Sequence, residues 1–123
     1  MISFEQFTME DGSPIYLQII RYVKQSIVAG GVQDGDEMPS RRVLSALLGI
    51  NPNTVQKAYR LLEEESIIES RSGAKSCVVL DKEKVEQIRG ELLENDARAI
   101  VNALKRMGAS KEEAISLVDK LWE

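Results

Sequence analysis

The 123-residue sequence contains no histidine and a single cysteine, Cys77. Without histidine there is no Ser-His-Asp triad, no Cys-His dyad and no imidazole base. With one thiol there is no intramolecular disulfide and no cysteine-based structural zinc site. No apolar run approaches the ~20 residues of a membrane-spanning helix. The opening stretch MISFEQFTMEDGS carries acids where a secretory signal carries bases. A lone thiol fits a reducing compartment, so a cytoplasmic location is expected, with no membrane partner. No phosphate-cradling glycine loop and no metal constellation is found, and the carboxylates are interleaved with bases. An enzyme is therefore not expected, and neither a cofactor nor a metal is called for.

What is present is an ordinary globular composition, 43% hydrophobic and 29% charged, with a formal charge of −4. The charge is unevenly spread. Residues 1–13 have a net charge of −3, residues 14–80 of +1 and residues 81–123 of −2. From Met38 to Leu62 there are four bases (Arg41, Arg42, Lys57 and Arg60) and no acid. Polyanion binding depends on the field at one face, which a net charge does not describe.

The pattern of apolar residues and caps orders the chain. Residues 1–13 form a lead-in with Ile2, Phe4 and Phe7 as anchors. Ser13-Pro14 is expected to open a first helix, Ser as cap and Pro at the first helical position. Ile15, Ile19, Val23 and Ile27 give it an apolar stripe, and Gly30-Gly31 ends it. Pro39-Ser40 starts a second helix whose buried side is expected to be Val43, Leu44, Leu47 and Leu48, ended by Gly49. Asn51-Pro52 starts a third helix that reaches about Glu65. Two short helices joined by so tight a turn are a helix-turn-helix. Ile67-Ile68 and Cys77 to Leu80 are β-rich around a turn at Ser72 to Lys75, which makes a hairpin in the position of a wing. Asp81 caps a long fourth helix carrying Val85, Ile88, Leu92, Ile100, Val101, Leu104 and Met107. Gly108 separates it from a fifth that opens on the capping box Ser110–Glu113.

The third helix is two-faced. At about 100° per residue, Asn53, Gln56, Lys57 and Arg60 fall within about 60° of one line. Val55, Ala58, Tyr59 and Leu62 lie opposite. One face is apolar; the other holds only amides and cations. A solvated face would carry scattered acids, and none occurs before Glu63. Asn and Gln pair with adenine edges, Lys and Arg with guanine edges or phosphates. The N-terminal residues of a recognition helix are those that reach bases.

With PIYLQI, GDEMPSRRVLSALLGI, NPNTVQKAYRLLEEE and RSGAKSCVV, the run from Pro14 to Val79 resembles the winged helix-turn-helix of the GntR family of bacterial transcriptional regulators. The tail ending GASKEEAISLVDKLW resembles the YtrA-type subfamily, which lacks a large effector domain. The resemblance implies a mainly α fold: three helices plus a β-hairpin wing in residues 1–80, then a C-terminal helical hairpin in residues 81–123. It implies a phosphate contact for Ser40 and a base or phosphate contact for Arg42, while Arg41 is read as a phosphate contact or a solvated cation. It places Asn51, Asn53, Thr54 and Gln56 at the entry to the recognition helix, with Thr54 holding phosphate by its hydroxyl and backbone amide. Gly73 matches the wing-tip glycine, with Arg71 and Lys75 on either side. Three departures stand out. Pro52 replaces a frequent base-reading Arg, Ala74 a frequent second wing glycine, and Ser66 a helix-terminating Gly. Tyr16 and Tyr59 are read as core or edge residues and Cys77 as inert packing.

The 43 residues after position 80 suffice for a helical hairpin but hardly for an enclosed ligand pocket. The fourth helix, with Ile88, Leu92, Leu93 and Ile100, has more apolar surface than its partner helix can cover. With Leu104, Val118, Leu121 and Trp122 this points to a two-fold homodimer, the alternative being packing against the body of the same subunit. The expected function is that of a sequence-specific repressor on an inverted-repeat double-stranded DNA operator, helix 3 in the major groove and the wing in the minor groove. An effector, if one exists, is left unidentified. The alternative from another class is a winged-helix protein–protein interaction module without specific DNA binding.

Overall fold

The computed structural model describes residues 1–71 and 75–123. The elements run α1 (Ile15–Val28), α2 (Arg41–Leu48), α3 (Pro52–Glu64), β1 (Ile68–Ser70), β2 (Ser76–Val78), α4 (Lys82–Arg106) and α5 (Lys111–Trp122). They fall into two compact units, Met1–Arg89 and Gly90–Glu123.

The first unit is the winged helix. α1 presents Ile19, Ile20, Val23 and Ile27 to its core, and α3 adds Val55, Ala58, Tyr59 and Leu62. Pro14 occupies the cap position of α1, not the first turn, and no side chain caps that end. The Ser13 hydroxyl instead reaches the Pro14 carbonyl, so the expected Ser cap is corrected. The Ser40 hydroxyl caps α2 by accepting from the Val43 amide at 3.1 Å, and Asn51 caps α3 through the Asn53 amide at 2.8 Å.

The expected buried side of α2 is also corrected: only Leu44 and Ser45 are buried. Val43 (56% exposed) and Leu47 (62%) face outward. An eight-residue helix crossing one partner has room for one anchoring position per turn or so, and Leu44 takes it.

β1 and β2 pair antiparallel, Ile68 opposite Val78 and Ser70 opposite Ser76. A third segment joins β2 where Met38 donates to the Ser76 carbonyl and Val78 to the Asp36 carbonyl, both at 2.8 Å. The lead-in is tied down too. The Ile2 amide donates to the Glu37 carbonyl at 2.9 Å, and the Tyr22 hydroxyl to the Ser3 carbonyl at 2.7 Å. Phe4, Phe7 and Tyr22 form an aromatic cluster with ring centroids 5.0–5.9 Å apart.

α3 ends in a paired motif in which Ile67 donates to the Leu62 carbonyl and Ser66 to the Glu63 carbonyl. Ser66 there has φ 59°, the left-handed conformation that favours glycine. Its carbonyl accepts from the Lys84 ammonium. The start of α4 is capped by Asp81, which accepts from the Lys84 amide at 2.7 Å.

In the second unit no residue from Gly90 to Glu123 is buried. The remainder of α4 and α5 border a groove of about 950 Å³. Ile100, Val101, Leu104, Ile115, Val118 and Trp122 are among the residues lining it. Ile88, expected on a dimer face, belongs to the first unit and is only 3% exposed, so it is removed from that set. No helix among the described residues is long and apolar enough to cross a membrane.

Candidate nucleic-acid interface

The division of α3 into two faces holds in three dimensions. Val55, Ala58, Tyr59 and Leu62 are fully buried, while Asn53, Gln56, Lys57 and Arg60 are exposed. The apolar face, packed on α1 and α2, fixes the rotation of the helix about its axis, and this leaves two amides and two cations on one surface.

The polar atoms left over at that surface decide what it can do. Asn51 uses Oδ1 for its cap, so its NH2 group remains able to donate. The Ser40 hydroxyl accepts from Val43, which leaves its own hydrogen for an outside acceptor such as a phosphate oxygen. Arg42 is exposed at the second position of α2, where no acidic residue occupies the first turn. The Thr54 amide is occupied, donating to the Asn51 carbonyl at 2.9 Å. The amide expected to meet phosphate is therefore already engaged, and only the Thr54 hydroxyl is left for such a contact.

The cations differ in their freedom. Lys57 places its ammonium 4.0 Å from the centre of the Tyr16 ring, so Tyr16 on α1 is a platform for this side chain. Arg41 is held by Glu63 at 2.7 Å and lies 5.0 Å from the centre of the Tyr59 ring. The reading of Arg41 as a solvated cation is corrected: it is a half-buried ion pair. Sequence reasoning missed both Glu63 and Tyr16 as partners, because neither lies at a helical spacing from the cation it meets. Tyr59 donates its hydroxyl to the Pro39 carbonyl at 2.7 Å. Burial holds its phenol well above the ordinary value, against a smaller opposite pull from Arg41.

At the hairpin the Arg71 amide donates to the Lys75 carbonyl at 2.7 Å. The Arg71 guanidinium pairs with Glu69 at 2.9 Å and the Lys75 ammonium stands 3.8 Å from Glu37. Both pairs are solvent-exposed, so they contribute little and yield readily to a phosphate. Gly73 lies outside the described residues, as do Ser72 and Ala74. Cys77 is a free, partly buried thiol in β2.

Comparison with known proteins agrees with this architecture. Residues 15–78, more than half of the chain, match the family described as bacterial regulatory proteins, gntR family. The HTH-type transcriptional repressor YtrA of Bacillus subtilis is 37% identical over 118 residues, covering 96% of this chain and 86% of that protein. The HTH-type transcriptional regulator YhcF of the same organism is 30% identical, covering 93% and 94%. A GntR family transcriptional regulator from Listeria monocytogenes superposes with a TM-score of 0.79 at 34% identity, covering 92% of this chain and 99% of that one. These relatives are regulators of transcription, not enzymes. The chain belongs to the GntR family of DNA-binding transcriptional regulators, in its YtrA-type branch.

Proposed function

We propose that the protein is a cytoplasmic homodimeric repressor of an inverted-repeat operator. The observation that carries the reading is the exposed face of α3, built of Asn53, Gln56, Lys57 and Arg60 with no acid among them, on a helix whose reverse is fully buried. In this reading α3 enters the major groove, where Asn53 and Gln56 read base edges and Arg60 and Lys57 meet bases or phosphates. Ser40, Arg42, Asn51 and the Thr54 hydroxyl hold the flanking backbone, and the wing, with Arg71, Gly73 and Lys75, follows the minor groove.

The second unit supports a dimer by what it lacks. Gly90–Glu123 buries no side chain of its own, yet Leu93, Ile100, Val118, Leu121 and Trp122 are all exposed. An open apolar groove beside such residues, lined in part by Leu104, is filled by a second copy of the same hairpin, and Leu92 is assigned to the same interface. Repression, by occlusion of a promoter, rests on the name of the Bacillus subtilis relative.

Footprinting on promoter DNA, with the mass of the complex measured in parallel, tests the reading. Two protected half-sites on one face of the duplex, about 34 Å apart or a multiple of that, with two chains bound, are expected. A single protected half-site holding one chain would contradict the dimer, and unprotected DNA the whole reading.

A further inference from the structure

We propose that Arg41 is a positioning residue, clamped by Glu63 and Tyr59 so that Ser40 and Arg42 are presented to DNA, and does not itself contact phosphate. The inference rests on the DNA-binding reading above and reassigns one cation within it.

Tyr59 and Glu63 stand four residues apart on α3 and therefore share one face. Each grips a different residue at the start of α2. The Tyr59 hydroxyl donates to the carbonyl of Pro39 at 2.7 Å; Glu63 accepts from the Arg41 guanidinium at 2.7 Å. The residue between, Ser40, is thus anchored on both sides. Its neighbour Arg42 is turned about 100° from Arg41 on the helix, and so faces away from the clamp.

The guanidinium has little freedom. It lies near the Tyr59 ring, and its Nε is buried without a partner. The Arg41 and Glu63 side chains are only 26% and 34% exposed. Glu63 is further met by the Ser70 hydroxyl at 3.4 Å, which ties the clamp to β1. Moving Arg41 to a phosphate would break the ion pair, forfeit the ring contact and leave the Glu63 carboxylate unpaired. Arg42, exposed on α2, would meet none of these costs in turning to a phosphate.

A phosphate-contacting Arg41 and a clamped one respond to the loss of Glu63 with opposite sign. If Arg41 touched phosphate, E63Q would free it and remove a repelling carboxylate, so DNA would bind more tightly. If Arg41 positions α2, E63Q loosens the clamp and operator binding weakens. The experiment measures affinity of the full-length protein for a footprinted operator fragment and for a scrambled duplex, over a salt series, with wild type, R41Q, E63Q and the double variant.

The expected result is that each single variant loses roughly five- to twentyfold in operator affinity and the double variant loses no more than either. Affinity for the scrambled duplex falls in both single variants as well, because Ser40 and Arg42 meet backbone phosphates. The distinguishing sign is that E63Q weakens binding where a direct Arg41 contact would tighten it. Tighter binding by E63Q, or unchanged operator affinity in both single variants, would overturn the proposal.

A wild type that does not distinguish the operator from the scrambled duplex would sink the DNA-binding reading itself, a separable outcome. Should R41Q fail to fold, the arginine Nε signals of the wild type decide, with R41K for assignment. On adding operator, Arg42 shifts and Arg41 does not; an equal shift at Arg41 contradicts the clamp.

Discussion

The hydroxyl of Tyr59 donates to the carbonyl of Pro39 at 2.7 Å, across the junction between α3 and the start of α2. Tyr59 is fully buried, so its ring packs the core while its oxygen holds the start of α2. The bond satisfies a carbonyl that sits before the first turn of α2. Y59F removes the donor without removing the ring, and should cost about 1–3 kcal/mol in chemical denaturation because the Pro39 acceptor is left without its partner.

The same group gives a pH signature. Burial raises the native phenol above the unfolded value of about 10, so above that pH the unfolded chain releases a proton that the native one keeps. Fewer protons are bound in the unfolded state, and stability falls as pH rises. The stabilising contribution is therefore fully present below pH ~10 and lost above it. The stability gap between wild type and Y59F should narrow as pH rises from 9 toward 11.5; a constant gap would show that Tyr59 does not titrate with unfolding.

Ser66 adopts φ 59° at the end of α3, where the motif asks for a residue with no Cβ. S66G should stabilise the protein by about 1 kcal/mol, since a non-glycine residue costs roughly that in the left-handed region. A lower melting midpoint for S66G would mean that contacts of the serine side chain outweigh the backbone term.

Gly90 presents the opposite case. It lies inside α4, has no positive φ, and a Cβ built there meets nothing within 4 Å. G90A should therefore raise stability by roughly 0.5–1 kcal/mol through helix propensity alone. Thermal unfolding monitored at the helical band measures it, and a loss of stability would reveal a neighbour that the single chain does not contain.

The apolar tail supplies a test of assembly. V118D places a charge on a side chain that is 48% exposed in one chain and lines the groove of the proposed dimer face. Sedimentation should show a monomer with its winged helix intact. Operator affinity should fall by about 10²-fold or more, since two linked half-sites become two separate events. A variant still dimeric at micromolar concentration would place the interface elsewhere.

Much of this architecture was legible in the sequence for reasons that can be named. Asn51, Asp81 and Ser110 cap helices as short polar side chains before apolar periodicity indicate, whereas Ser13 in the same setting does not and the cap by Ser40 came only from the structure. The faces of α3 follow from a 3.6-residue period. Ser66 was readable as a departure from glycine, and the structure gives that departure its φ. Other features were hidden. Val43 and Leu47 are apolar yet face outward, and periodicity cannot say which side of a two-turn helix meets the core. The Arg41–Glu63 pair spans 22 residues, and the Lys57–Tyr16 contact joins α3 to α1; both exist only after the helices pack. The site residues were named by type and spacing, whereas the partner that restrains each one is a product of tertiary structure.

The outward face of α3 is tested most directly by sequencing the DNA retained from a random duplex pool by wild type and by N53A/Q56A/R60A. Sedimentation and helical content should first show the variant folded and assembled as wild type is. The wild type is then expected to enrich two copies of one motif in inverted orientation, and the variant to enrich none. Enrichment of the same motif by both proteins would mean that the face of α3 does not read the sequence.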